Sequence, residues 1–277
     1  MRRVLRRPIQ CLCFLALTLY APPSTLSLSY GAEPGQLAEN QARFGVIEGD
    51  VGFLAQGAKE WQEPHEGLPL EPGDHIRTAE DGRVELQLGK GVLWVLEPES
   101  EAVAEHVSDH TGRMDLVEGT ILGIVDPAIS VLSERWEMNT PAAVITAHGS
   151  QTAIQFSPKE GTRLGVFEGH VEIQAADSPT GESVAVQVSA NHEAVVTRRQ
   201  PVPKISPLGP IMRGFLNRRK DMRLRQARAE QGWSVWNPVD RISLRKKYVA
   251  APPKPKHTKP RVLRLKGKAK SDESVPL

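Results

Sequence analysis

Three groups of residues in this 277-residue chain have the types and spacings from which chemistry is built. His106 and His110 stand four apart with Asp109 between them, a spacing that would bring two metal ligands together on a helix. Their neighbours read as strand and turn, where two such residues share a face but lie far apart, so a solvated loop is expected and no third ligand is evident. His148-Gly149-Ser150, with Asp74 elsewhere, contains the residue types of a nucleophilic triad. Ser150 lacks a Gly-x-Ser-x-Gly elbow and no oxyanion hole is marked, so a β-turn around Gly149 is the expectation. Glu48, Glu118 and Glu168 could supply paired carboxylates, but each directly precedes a glycine, and that shared place at a turn accounts for them more economically. With no phosphate-cradling glycine loop and no nucleotide fingerprint, the sequence predicts a non-enzyme without catalytic residues, cofactor or metal.

The elements that must position these residues are marked by a recurring phrase. It reads Gly45-Val-Ile-Glu-Gly49-Asp-Val, then Asp115-Leu-Val-Glu-Gly119-Thr-Ile, then Leu164-Gly-Val-Phe-Glu-Gly169-His-Val-Glu-Ile173. In each copy β-formers flank a Glu-Gly pair whose glycine can take positive φ at little steric cost, so the phrase reads as strand, sharp turn, strand. The offsets between copies are uneven, which argues for recurring hairpins rather than a solenoid. Arg83 to Leu88 alternates strictly and places Val84, Leu86 and Leu88 on one face of a strand. The structural turn residues expected are Gly49, Gly73, Asp74, Gly119, Gly149 and Gly169.

Composition indicates a compartment. Four arginines within the first seven residues precede an apolar run from Ile9 to Ala21, which Pro22 and Pro23 stop. That is the order of a secretory signal peptide, and the run is short for a membrane span of roughly 20 residues. Cleavage near Ala32 would remove Cys11 and Cys13, the two cysteines of the chain, so the exported protein would be held by its core alone, without disulfides or thiolate zinc sites.

The net charge of +2 hides a strong polarity. Residues 33–203 carry 11 Lys/Arg against 28 Asp/Glu, a net of −17, whereas residues 204–277 carry 20 against 5, a net of +15. The basic part can fold back on the acidic one or seek an external polyanion. Polyanion-binding candidates are Arg218, Arg219, Lys220, Arg223, Arg225, Arg228, Lys246 and Lys247. Peptidoglycan carboxylates and lipid phosphates are the partners such a tail would meet outside the cytoplasm, with peripheral membrane contact included; export makes nucleic acid a poor fit.

The run from Leu70 to Leu93, with Gly73-Asp74, a basic residue and Thr78, then an alternating strand and a glycine turn, resembles the opening of the FecR domain. Gly112 to Gly119 is similar to its central Glu-Gly strand, Met138 to Val144 to its Thr-Pro segment, and Leu164 to Ile173 to its closing hairpin. The resemblance covers about residues 44–199. One departure is Ala147-His148-Gly149-Ser150 where the family carries Arg-Gly-Thr. The resemblance implies an all-β domain of short antiparallel strands and hairpins; beyond it, helical spacing after Pro210 predicts a basic helix, and the lack of core formers past Lys254 a disordered tail. The expected division is a signal peptide (1–32), a tether (33–43), the β domain (44–199), a proline-rich linker (200–210), a basic helix (211–236) and a disordered basic tail (237–277). It further implies a binding or scaffold protein of the bacterial envelope, periplasmic or envelope-associated, that acts by contact with protein or anionic polymer. The alternatives are a membrane-anchored relay for an outer-membrane receptor and a polysaccharide-active enzyme.

Overall fold

A computed structural model describes residues 41–108, 111–128, 135–176, 184–197, 200–234 and 237–249. The signal-peptide reading, the tether up to residue 40, His110, and the expected disorder beyond Val249 lie outside the described residues; Gln41, Ala42 and Arg43, expected in the tether, are buried, and Arg43 already belongs to the first strand. Thirteen strands and three helices are described, and the strands belong to one all-β sheet that bends into two layers.

The first layer runs β1 (Arg43–Glu48), β4 (Arg83–Gly89), β5 (Val92–Leu96), the second half of β7 (Thr111–Val125), the second half of β9 (Ala143–Ser157), the first half of β10 (Gly161–Ala175), β12 (His192–Thr197) and β13 (Gln200–Pro207). The second layer runs β2 (Val51–Leu54), β3 (His75–Thr78), β6 (Glu101–Val107), the first half of β7, β8 (Arg135–Asn139), the first half of β9, the second half of β10 and β11 (Val186–Ser189). All pairings are antiparallel except β7–β8. Inward side chains of both layers merge into one buried cluster, with Phe44, Leu86, Trp94 and Leu164 from the first and Phe53, Ile76, Met114 and Ile173 from the second.

The Glu-Gly phrases are the corners between the layers rather than hairpin turns. β7 and β10 are continuous 15-residue strands through Gly119 and Gly169, and β1 and β2 pair with different neighbours on either side of Gly49. φ is 67° at Gly49, 101° at Gly119 and 72° at Gly169, and the register of β10 against β9 shifts on both sides of Glu168. Such a bulge bends a strand out of one layer and into the next while its ladder continues. Gly169 shows why glycine is required, since a Cβ there would clash with the carbonyl oxygen of Gly149 on the neighbouring strand.

Three boundary expectations are corrected. Residues 200–207 form strand β13 instead of a linker: β13 ends the sheet order, and an edge strand tolerates the missing N–H groups of Pro201, Pro203 and Pro207. The single helix expected over 211–236 is two, α1 (Pro210–Gly214) and α2 (Arg218–Gln231), interrupted after the glycine. Part of the expected disordered tail is helix α3 (Pro238–Val249). Asn237-Pro238, at the start of the expected tail, begins this helix, because the Asn237 side chain accepts the Asp240 N–H at 2.9 Å.

The helices have work to do on the first layer. Strands of that layer alternate, so Leu93, Val95, Leu122, Ile124 and Ala153 point away from the central cluster, and Leu208, Met212 and Met222 bury them from outside. Gly165 provides the space for Met212, whose sulfur would lie 2.8 Å from an added Cβ.

Candidate functional site

Around this second apolar patch the outer face of the first layer carries carboxylates, and α2 brings guanidinium groups to them. Arg225 is bonded to Glu85 at 2.7 Å, Glu48 at 3.1 Å and, along the helix, Asp221 at 2.9 Å. Arg218 approaches Glu97 at 3.4 Å, and Arg83 from β4 ties Glu97 and Glu48 together at 2.9 and 3.2 Å. Arg219 and Arg223 both clamp Glu168 at the β10 corner. Gln226 and Gln151 add bonds to the Gly91 and Arg219 carbonyls at 2.9 and 3.1 Å. The residues that dock, 218, 219, 222, 225 and 226, recur at helical spacing and so occupy one side of α2.

These contacts set the charges. Burial pushes the Glu168 carboxyl up, but two guanidinium hydrogen bonds outweigh it and hold the group below the usual carboxylate range. Burial likewise disfavours the Arg225 cation, and the bonds to Glu85, Asp221 and Glu48 more than reverse that, raising its pKa. Glu85 and Glu97 are buried, so each needs its partner.

α3 docks differently. Arg241 donates to the backbone oxygens of Ala42 and Leu70 at 3.0 and 2.7 Å and to Glu71 at 2.9 Å. Burial lowers its pKa, against the pull of Glu71. Arg245 donates to the Pro69 oxygen at 2.7 Å and to Asp74 at 2.6 Å while lying over the Phe53 ring. Asp74 is fully buried, and it also accepts the N–H groups of Gln56 and Glu71 at 3.1 and 2.8 Å. Gly73 has φ of 84°, and its N–H reaches Ala104 on β6 at 2.6 Å. Gly73-Asp74 therefore links β3, β6 and α3.

The sequence-derived residues are distributed as follows. Of the polyanion-binding candidates, Arg218, Arg219, Arg223 and Arg225 are engaged with the acidic face of their own domain. Lys220, Arg228, Lys246 and Lys247 are exposed and have no ion-pair partner among the described residues. Glu48 and Glu168 hold α2, beyond their place beside corner glycines, whereas Glu118 is exposed opposite Glu101. Gly149, with φ of 55°, is the β9 counterpart of the β10 corner. His106 bonds to Thr111 at 3.1 Å.

His148 and Ser150 line a cavity of about 570 Å³ with Gln151, Glu168, His170 and Arg223. The rings of His148 and His170 stack at 5.7 Å. The His148 Nε2, Ser150 Oγ and Gln151 Oε1 atoms are buried without hydrogen-bond partners. Ser150 thus has no base bonded to it, and both oxygens of Asp74 are taken elsewhere, so the triad is not assembled. Among the described residues no cluster of three or more His, Cys, Asp or Glu is placed to hold a metal, and no helix is long and apolar enough to cross a membrane.

Sequence reasoning passed over Arg241 and Arg245. Their signal was present as two arginines four apart just after an Asn-Pro helix start, but charge runs on a basic tail look alike until a partner is placed against them.

No curated protein matches the chain significantly. Two crystal structures of a candidate anti-sigma factor from Parabacteroides distasonis ATCC 8503, at 2.50 and 1.65 Å resolution, are similar to it at 13% identity with a TM-score of 0.40. The similarity covers 48% of this chain and 59% of those chains, short of two thirds of their length. Residues 74–172, from Asp74 through the β10 corner, match the family model described as FecR protein, a narrower span than the resemblance over 44–199. The chain therefore matches the FecR family over residues 74–172, which supports a signalling or regulatory component.

Proposed function

We propose that this is an exported regulatory or scaffold protein of the bacterial envelope that works by non-catalytic contact. The observation that carries the reading is the use of the ionisable groups on the outer face of the β domain. Glu48, Glu85, Glu97 and Glu168 are engaged in holding arginines of a basic helix, so the chemistry built into this face is recognition of a polypeptide segment by charge and apolar fit. The FecR match supports a regulatory role, and the arginine-rich start followed by an apolar run supports export. Contact with an anionic envelope component falls to the cations left facing outward, Lys220, Arg228, Lys246 and Lys247.

The test is mass spectrometry of the protein recovered from envelopes, combined with crosslinking in intact cells. A mature N-terminus near Glu33 and crosslinks to envelope components are expected. A species retaining Cys11 and Cys13 would support the membrane-anchored relay instead, and recovery from the cytoplasm alone would overturn both.

A further inference from the structure

The outward sides of α2 and α3 repeat one arrangement. On α2, Lys220, Leu224 and Arg228 follow one another at intervals of four and form a single row opposite the docked arginines. On α3, Val239, Ile242 and Lys246 recur at intervals of three and four and are all exposed, roughly a third of a turn around the helix from Arg241 and Arg245. Leu224 is 67% exposed, Val239 71% and Ile242 38%, so each helix presents exposed aliphatic surface in one row with cations. The three basic residues of these rows have no ion-pair partner among the described residues. α3 leads directly into residues 250–277, which add eight Lys/Arg against two acidic residues.

A soluble polyanion would satisfy the cations but gain nothing from Leu224, Val239 or Ile242. An anionic bilayer satisfies both, taking the aliphatic groups into the boundary of its acyl region and its phosphates to the lysine and arginine heads. We infer that the outward faces of α2 and α3 form a peripheral membrane-binding surface selective for anionic lipid. This inference rests on the envelope placement proposed above and names the partner. The β domain is then held at the bilayer surface through helices whose other sides are docked on it, and the surface requires no loss of that docking.

The protein purified from envelopes, in the N-terminal form it has there, would be sedimented with vesicles of phosphatidylcholine alone or with one third phosphatidylglycerol. Selective binding to the anionic vesicles is expected, weakening with salt. Lys220→Glu combined with Lys246→Glu should weaken it by roughly tenfold or more, as expected where each basic residue near an anionic surface contributes. Leu224→Ser combined with Ile242→Ser should also weaken it while leaving the thermal midpoint unchanged, because both side chains are exposed. Equal binding to the two vesicle types would overturn the inference. Full binding by the serine variant would overturn it in favour of a charge-only polyanion contact. If vesicle binding is absent but the protein is still retained on envelopes, the membrane surface fails and the envelope reading stands.

Discussion

α2 and α3 are both docked by arginines, but onto different acceptors. α2 meets carboxylates projecting from strands, whereas α3 meets largely backbone oxygens at the 68–74 turn, with Glu71 and Asp74 beside them. The Glu168 clamp, at a partly open surface, is screened by salt and lost in acid. A buried guanidinium on carbonyl oxygens is neither strongly screened nor lost on carboxylate protonation, yet it tolerates no replacement. The same residue type therefore makes an adjustable attachment in one helix and a fixed one in the other.

The largest effect is expected at the fixed attachment. The Arg241 side chain is 4% exposed. Arg241→Ala should destabilise the fold by about 3–5 kcal/mol, the range for breaking a buried charged contact. Urea unfolding measures it, and a loss under about 1 kcal/mol would erase the distinction between the helices. On α2, Arg225→Ala should cost about 3 kcal/mol, the lower end of the same range because the Arg225 side chain is 14% exposed. A double-mutant cycle with Glu85→Ala should return a coupling of about 1–3 kcal/mol. Additive losses would mean that the pair does not act as one.

Acid and salt sharpen the contrast. The folded pKa of Glu168 lies below its ordinary value of 4.5, so its contribution is present above that value and is lost as pH falls through the lower, folded one. Amide hydrogen exchange within Arg218–Arg228, taken relative to its intrinsic rate at each pH, should accelerate as pH falls through the lowered folded value of Glu168, and likewise in about 0.5 M salt at neutral pH. Exchange around Arg241 should not accelerate in parallel. Equal responses would place both helices on one kind of attachment. The smallest effect belongs to the outward cations: Lys220→Ala and Arg228→Ala should each change unfolding stability by no more than about 0.5 kcal/mol. A larger loss would show that these side chains have a partner within the fold.

Much of the β domain can be read from local pattern, because alternation and the Glu-Gly phrase are properties of a few consecutive residues. Val84, Leu86 and Leu88 do share the inward face, and the residues of the phrase do stand where the backbone bends. Whether such a bend makes a hairpin or a corner depends on which strands lie alongside. A strand hydrogen-bonds laterally to partners far away in sequence, so Gly119 and Gly169 could be recognised as corners only once β7, β9 and β10 were paired.

The composition by itself determined that an acidic β segment is joined to a basic one, since charge is additive along a chain. It left open whether the two would meet. Tertiary structure decided that, and it decided residue by residue: Arg225 and Lys220 are equivalent as entries in a charge count, but helical geometry turns one toward Glu85 and the other toward solvent. The same holds for Arg241, whose acceptors are backbone oxygens that every residue possesses. No side-chain pattern encodes where those oxygens will be left free, so only the folded path of residues 42–74 could assign it a place.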